Sequence, residues 1–298
     1  MQNGPRVEPG ETGYRPHPRH AGPDLSGVPD SVMPDLIRQK VRPGTGRETG
    51  LGHPSCPFGI IQPDWSVPAN VRAFTTTRNG GFSKGQWSGL NLGGSCGDDL
   101  NHVKQNRALL QTLLPCEPHW LRQVHGRKVV VWDNGFDSGL EADAIVSNQT
   151  RQVCAVLTAD CLPVLFCNKA GTKVAASHAG WRGLAAGVLE ATISSMGCEP
   201  CKLMAWLGPA IGPTAFEVGE DVHSTFLRVD PDNATAFSPH NDSWLADLYG
   251  LARLALKRVG VEQVAGGLYC TYTDQDKFFS YRRDGETGRM ATVIWLDD

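Results

Sequence analysis

Residues 154–183 read CAVLTADCLPVLFCNKAGTKVAASHAGWRG, and this stretch decides the fold class. Two short apolar runs, at 154–158 and 163–167, predict buried strands, and a third strand is predicted at 173–177. A helix is predicted directly afterwards, over residues 183–196. Strands followed so closely by a helix indicate that helices pack against sheets.

The same interleaving continues on both sides of this stretch. Further strands are predicted at residues 71–77, 120–125, 128–132, 202–207 and 290–296, and further helices at 101–114 and 243–259, the last with Ser243 as its N-cap. This order favours the α/β class in its mixed α+β form. We therefore expect a single domain in which mixed β-sheets pack against helices.

The first part of the chain differs in composition from the rest. Residues 1–60 contain 10 of the 34 glycines and 10 of the 20 prolines. Proline fixes φ and lacks a hydrogen-bond donor, and glycine adds chain entropy, so such a segment does not favour a packed core. We expect residues 1–59 to be a disordered extension, with at most a short amphipathic turn at 31–40, and residues 60–298 to be the folded domain.

Charge and apolar content limit the classes of function. Lysine and arginine total 28 against 31 acidic residues, and the formal net charge of −3 argues against a nucleic-acid or anionic-membrane binder. The sequence has neither an apolar run of about 18 residues nor the apolar core of a signal peptide. The nine cysteines are an odd number, so reduced thiols and a cytoplasmic location are expected.

Three short segments place metal-binding side chains where predicted strands end or break. Cys161, beside Asp160, interrupts an apolar run, and His125 and His178 each lie at the end of a predicted strand. Two imidazoles and a thiolate suit zinc or copper, and three protein ligands leave a fourth position open, as catalytic sites do. Spacing alone leaves a second interpretation open, a buried thiol and two hydrogen-bonded histidines.

Two arginines are candidates for binding an oxyanion. Arg182 follows Trp181 at the predicted start of a helix, where free N–H groups suit phosphate. Arg283 lies in the aromatic and basic segment 278–284. The alternatives are a tight turn with a surface arginine and a strand with a charged edge.

Two other motifs carry less weight. Residues 81–85 match G-x-S-x-G, but no helical pattern follows them, as a nucleophile elbow requires. The C-x-x-C at 198–201 has no second pair, which favours a loop with two incidental thiols.

Taken together, the motifs resemble a known bacterial family. The matching stretches are Ser88–Gly93, Gln123–Gly126, Thr158–Phe166, Ser177–Gly183, Gly208–Pro213, Phe216–Gly219, Phe278–Asp284 and Thr287–Arg289. Over about residues 60–298 the chain resembles the laccase-domain, or polyphenol oxidase, family, also called peptidoglycan editing factors. Several members of that family are described as purine nucleoside phosphorylases.

The resemblance implies a site and an activity. It implies that His125, Cys161 and His178 hold a catalytic zinc, with copper also proposed. It implies phosphorolysis of adenosine, inosine and S-methyl-5'-thioadenosine, deamination of adenosine, and therefore purine nucleosides and phosphate as partners. With it, we expect catalytic roles for Cys161, Asp160 and Arg182, and substrate-binding roles for Asn91, Gln123 and Arg283. Asp160 is expected to be a general acid/base or to orient a ligand histidine.

Other functions remain open at this point. An amidase acting on serine-containing peptidoglycan precursors would use Cys161 as nucleophile and His125 or His178 as base. A copper oxidase ranks last, because only six histidines lie outside the extension and no H-x-H pair occurs. A metal-sensing module without catalytic activity would bind zinc and turn over nothing.

Overall fold

The structure, a computed structural model, describes residues 57–132 and 139–298. The strands are β1 (Ile60–Ile61), β2 (Val71–Thr76), β3 (Val129–Val131), β4 (Ala144–Ser147), β5 (Cys154–Thr158), β6 (Leu162–Asn168), β7 (Val174–Ala179), β8 (Leu203–Leu207), β9 (Glu217–Val218), β10 (Phe237–His240), β11 (Ser243–Ala246), β12 (Gln263–Gly266) and β13 (Met290–Leu296). The α-helices are α1 (Leu100–Gln111), α2 (Trp181–Ala185), α3 (Val188–Met196), α4 (Glu220–Val229), α5 (Leu248–Arg258) and α6 (Tyr281–Asp284). The extension expected at residues 1–59, with its turn at 31–40, lies outside the described residues up to residue 56.

Two larger sheets and one small sheet form the framework. The six-stranded sheet has the order β12-β8-β6-β7-β4-β3 and mixes parallel and antiparallel pairs. The four-stranded sheet has the order β1-β2-β13-β5 and is antiparallel. The small sheet has the order β10-β11-β9. The expected α/β class with mixed sheets is confirmed.

Strand β6 shows why the deciding stretch is apolar at nearly every position. Val164 and Phe166 point into a core shared with helices α3 and α5. Leu165 and Cys167 point the other way, into a core between the two large sheets. A strand buried on both faces needs a continuous apolar run rather than an alternating one.

The domain therefore has four layers. Helices α3, α4 and α5 cover one face of the six-stranded sheet, and the four-stranded sheet covers the other. Leu110 of α1 joins Phe74 and Val293 in a further core on the outer face of the four-stranded sheet. No helix in the described ranges has the length and apolar character needed to cross a bilayer.

The helix predicted over 183–196 is interrupted. Helix α2 ends at Ala185 and α3 begins at Val188, because Gly187 takes the left-handed conformation with φ of 87°. An Ala-Ala-Gly sequence does not reveal this break, since glycine also occurs within helices at a modest cost.

The prediction of a helix over 243–259 with Ser243 as N-cap is wrong at its start. Residues Ser243–Ala246 form β11, which pairs with β10 across a tight turn containing Asn241 at φ of 50°. Helix α5 follows, with Asp247 at its N-cap position. A short hairpin turn with asparagine in the left-handed region is a known strand signal, and the helical spacing of the leucines concealed it.

The strand predicted over 120–125 is also wrong. Arg122 forms a single bridge with Glu141, and the following residues leave the sheet. The backbone amides of Val124 and His125 donate to the carboxylate of Asp143 instead. The other predicted elements are confirmed with ends shifted by up to three residues.

Tyr249 of α5 ties together the loops after β8 and β12. Its hydroxyl donates to the carbonyl of Tyr269 at 2.8 Å and accepts from the amide of Ala210 at 2.8 Å. Replacing Tyr249 by phenylalanine is expected to lower the free energy of unfolding by about 1–3 kcal/mol, because the buried Ala210 amide loses its acceptor. Urea unfolding measures this change, and the exposed Tyr272→Phe should be nearly neutral.

A candidate metal centre of two histidines and a cysteine

Adjacent strands bring the predicted ligands together. Strands β6 and β7 pair antiparallel, so Pro163 lies opposite His178. Cys161 directly precedes β6 and therefore lies beside the end of β7 where His178 is found. Strand β4 pairs with the other edge of β7, and its preceding residue, Asp143, reaches the loop that carries His125.

The three side chains form one cluster. The ligand atoms of His125, Cys161 and His178 all lie within 4.8 Å of one another. The two imidazole rings meet edge to face with centroids 4.8 Å apart. His178 is buried, Cys161 is half-buried and His125 is exposed, so the cluster opens to solvent on the His125 side.

A fully buried carboxylate organises this cluster. Oδ1 of Asp143 lies 2.8 Å from Nδ1 of His178 and accepts the backbone amide of His125 at 2.9 Å. Oδ2 accepts the amides of Gly126 at 2.7 Å and Val124 at 3.3 Å. These bonds explain why the predicted strand before His125 is absent, since its amides turn toward Asp143. They also leave Nε2 as the ligand atom of His178.

Charge is concentrated at the cluster. Burial raises the pKa of the Cys161 thiol, but the imidazoles of His178 and His125 outweigh burial and lower it. Burial lowers the pKa of His178, but the Cys161 thiolate and Asp143 outweigh burial and raise it. Burial also raises the pKa of the Asp143 carboxyl, and its hydrogen bonds with His178 and the loop amides lower it overall. The site thus favours a thiolate, which is the form that binds metal.

The backbone near the cluster is strained at two positions. His125 has a φ of 59° and Asp160 a φ of 87°, in the left-handed region that non-glycine residues seldom adopt. Such outliers concentrate at functional sites, where the surrounding structure holds them.

The donor set fits a single zinc or copper ion. Zinc bonds of about 2.0–2.3 Å in tetrahedral geometry place ligand atoms roughly 3.3–3.6 Å apart. The ligand atoms here all lie within 4.8 Å of one another, so a small contraction of the cluster reaches that spacing. Three donors leave one position open for substrate. Among the described residues, this is the one group of three or more such side chains that can hold a metal ion.

Gly180 allows the ligands to approach one another. A Cβ at this position would lie 2.9 Å from Sγ of Cys161 and 2.9 Å from Cδ2 of His125. Gly180→Ala is therefore expected to push two ligands apart and weaken zinc affinity by about 10–100-fold, the range seen when ligand support is disturbed. Competition with a chelating dye measures the affinity. Gly94→Ala, where the added Cβ meets nothing closer than 3.6 Å, should leave it unchanged.

Asp160 directly precedes Cys161 in the chain, but its carboxylate forms no hydrogen bond with either histidine of the cluster. Its oxygens accept the Thr271 hydroxyl at 2.6 Å and the Arg282 amide at 2.6 Å. The carboxylate that orients His178 belongs to Asp143, so the expectation that Asp160 orients a ligand histidine is corrected.

Gln123 and Asn91, both predicted to bind substrate, instead form hydrogen bonds within the chain. The side-chain amide of Gln123 pairs with both the carbonyl and the amide of Leu157, each at 2.8 Å. Asn91 is fully buried, donates to Asp98 and accepts the amides of Gly93 and Arg289. Gln123 thereby fixes the loop before His125 to β5.

The two candidate arginines differ. All five N–H groups of Arg283 donate within the chain, to the carbonyls of Thr271, Tyr272 and Phe278 and to Asp284. Arg283 therefore has no free donor for phosphate in this arrangement. Arg182 is exposed, and its guanidinium lies 4.3 Å from the centroid of the Trp181 ring, two residues after Gly180.

Asp143 is the residue that the sequence reasoning missed. The available signal was a single carboxylate directly before the apolar strand β4, whose antiparallel pairing with β7 brings its start beside His178. Comparable carboxylates elsewhere in the chain serve as caps or surface charges, so sequence alone does not single it out.

Comparison with known proteins finds bacterial relatives over most of the chain. The chain is 54% identical over 239 residues to a purine nucleoside phosphorylase of Escherichia coli, covering 80% of this chain and 98% of that one. It is 50% identical over 240 residues to a purine nucleoside phosphorylase of Pseudomonas aeruginosa, covering 80% and 98%. A Neisseria meningitidis crystal structure aligns with a TM-score of 0.78 and 52% identity, covering 80% and 99%. Residues 72–297 match the family described as multi-copper polyphenol oxidoreductase laccase, and the chain belongs to that family.

Proposed function

We propose that this chain is a zinc-dependent purine nucleoside phosphorylase that also deaminates adenosine. The observation that carries the proposal is the cluster of His125, Cys161 and His178, with a position open to solvent. The relatives from E. coli and P. aeruginosa bear the name purine nucleoside phosphorylase, which supports the same substrate class here. Adenosine, inosine and S-methyl-5'-thioadenosine are the proposed nucleosides.

The residues around the cluster suggest how the chain prepares the reaction. Asp143 accepts the Nδ1 proton of His178 and so presents Nε2 to the cluster. The same carboxylate holds the amide of His125 and fixes the open side of the site. A bound zinc ion supplies Lewis acidity that polarises a substrate oxygen.

Arg182 is the proposed phosphate anchor. It is exposed close to the cluster and carries a charge that no described carboxylate pairs with. Asp160, proposed as a general acid or base, can act only through an oxygen that also holds Thr271 or Arg282. Both roles are open to test by separating the effects on the phosphate KM from those on kcat.

The direct test uses the full chain loaded with zinc. Adenosine or S-methyl-5'-thioadenosine is incubated with and without phosphate, and mass spectrometry reads the products. Free adenine and a ribose 1-phosphate that appear only with phosphate support phosphorolysis, and inosine from adenosine supports deamination. Cys161→Ala should be inactive, whereas Cys201→Ala, which removes an exposed thiol, should be active. Unchanged nucleosides at high enzyme concentration would contradict the proposal.

A cysteine amidase acting on peptidoglycan precursors is the second candidate. The observation that favours it is the Cys161 thiol beside two imidazoles, the arrangement of an activated nucleophile. Thiol alkylation would abolish such an activity and a chelator would spare it. A zinc enzyme loses activity with the chelator.

We also propose a cytoplasmic location. All eight cysteines in the described residues are free thiols. Reduced thiols in this number fit a reducing compartment. Alkylation and mass measurement of protein from rapidly acidified cells tests their redox state, and stable disulfides would contradict the assignment.

A further inference from the structure

The residues around Arg78 line a cavity of about 760 Å³. Its walls come from two segments, residues 78–89 and 275–284, and none of the three metal-binding side chains lines it. Its volume is in the range of small-molecule sites. The activity proposed above does not depend on it.

Arg78 places a positively charged guanidinium in the wall of this cavity. Its guanidinium is half-buried and lies 4.8 Å from the centroid of the Phe279 ring. Its one side-chain hydrogen bond among the described residues is a long one, from Nη1 to the carbonyl of Gln275 at 3.3 Å. Burial lowers the pKa of Arg78, because it disfavours the charged form. A half-buried guanidinium with one long hydrogen bond has N–H groups available for a ligand.

The carboxylates in the cavity wall do not provide that partner. Both oxygens of Asp284 accept from Arg283, at 2.8 and 2.7 Å, so the charges of these two residues neutralise each other. Asp284 and the exposed Asp276 both attract Arg78, Asp284 more strongly. Within the described residues, however, no ion pair joins Arg78 to either acid, and its Nε and Nη2 groups form no hydrogen bond.

Further hydrogen-bond donors line the same cavity. The backbone amides of Gly80 and Gly81 donate to no acceptor within the described part of the chain. The exposed hydroxyl of Ser88 likewise forms no hydrogen bond there. Several free donors around one guanidinium suit an oxyanion, and a planar guanidinium binds phosphate oxygens in pairs.

We propose that this cavity binds a phosphate group, as a small phosphate ester or as inorganic phosphate, with Arg78 as the anchor. The cavity is much larger than one phosphate ion, so a phosphorylated sugar or nucleoside fits the space better. The glycines of the 79–81 turn leave the backbone accessible to the ligand. Neither the three side chains of the candidate metal centre nor Arg182 lines this cavity.

Isothermal titration with inorganic phosphate and with ribose 5-phosphate tests the proposal. Arg182→Gln is present in the full chain and in every variant, so that the phosphate anchor proposed for the metal centre does not contribute. Arg78→Gln is expected to weaken binding by about ten- to a hundredfold, the effect of losing a charged hydrogen-bonding group. Arg78→Lys keeps the charge but loses the planar guanidinium. Its affinity should lie between those of the unmodified chain and Arg78→Gln. Arg228→Gln removes the same charge from the exposed face of α4 and should bind like the unmodified chain.

Two further comparisons complete the test. Tighter binding of ribose 5-phosphate identifies a phosphate ester as the ligand, and equal binding identifies free phosphate. Cys161→Ala, which leaves this cavity intact, should retain the binding. The proposal is wrong if the unmodified chain binds neither probe at millimolar concentration, if Arg78→Gln binds normally, or if Cys161→Ala abolishes the binding.

Discussion

Replacing Cys161 by alanine is expected to abolish both stoichiometric zinc binding and nucleoside turnover, while the fold persists. Cys161 is the one anionic donor of the cluster, and its thiolate is favoured by His178 and His125. Even changes to residues that only support a ligand cost about 10–100-fold in metal affinity, so loss of a ligand should cost more. The fold should survive because Cys161 is half-buried at a strand end, outside the apolar cores.

The measurement is the zinc content per chain together with the melting temperature. Elemental analysis after dialysis should give about one zinc for the unmodified chain and none for Cys161→Ala. Cys201→Ala is the matched control, because it removes an exposed thiol distant in sequence from the cluster. Tight zinc retained by Cys161→Ala would show that the cluster is not the metal site.

The small number of donors in the cluster also limits how many copper ions it can bind. Of the histidines in the described residues, only His125 and His178 join a group that can hold a metal ion. His223 instead stacks on Trp244 with ring centroids 3.8 Å apart and contacts Glu220. One cluster of three donors can hold a single ion, so a copper enzyme with several linked ions does not fit these residues.

The sequence predicts the centre of the domain well for a physical reason. The strands at 154–158, 162–168 and 174–179 are apolar on both faces, and few other structures accommodate such runs. Cys161 lies in the break between the first two strands and His178 near the end of the third, and a polar residue in such a buried place needs a partner. The candidate ligands are therefore visible in the sequence, whereas their convergence in space depends on the sheet order.

Other parts depend on tertiary contacts that local patterns do not encode. The leucine spacing around Leu245 fits a helix, but pairing with β9 and β10 makes Ser243–Ala246 a strand. The segment ending at His125 has strand propensity, but the amides of Val124, His125 and Gly126 donate to Asp143 instead of a neighbouring strand. Arg283 carries a guanidinium, the group that often binds phosphate. Its N–H groups, however, donate to nearby carbonyls and to Asp284.

Replacing Asp143 by asparagine is expected to weaken zinc binding, although Asp143 is not itself one of the proposed ligands. The carboxylate accepts from three backbone amides and contacts Nδ1 of His178, and both of its oxygens are in use. An asparagine side chain has one oxygen and one NH₂ group, so in either orientation a donor faces donors. We expect zinc affinity to fall by at least about 10–100-fold and the free energy of unfolding by about 1–3 kcal/mol.

Three readouts separate this positioning role from a general loss of stability. Zinc competition gives the affinity, urea unfolding gives the stability, and ¹⁵N NMR of the imidazoles reports which nitrogen of His178 carries the proton. In the unmodified chain the proton should be on Nδ1, held by Asp143, and in Asp143→Asn this preference should be lost. Glu141→Gln, the same chemical change at an exposed carboxylate two residues away, should alter neither the tautomer nor the zinc affinity. If Asp143→Asn retains both, β7 positions His178 and the other contacts of its loop position His125, and the buried carboxylate serves only the fold.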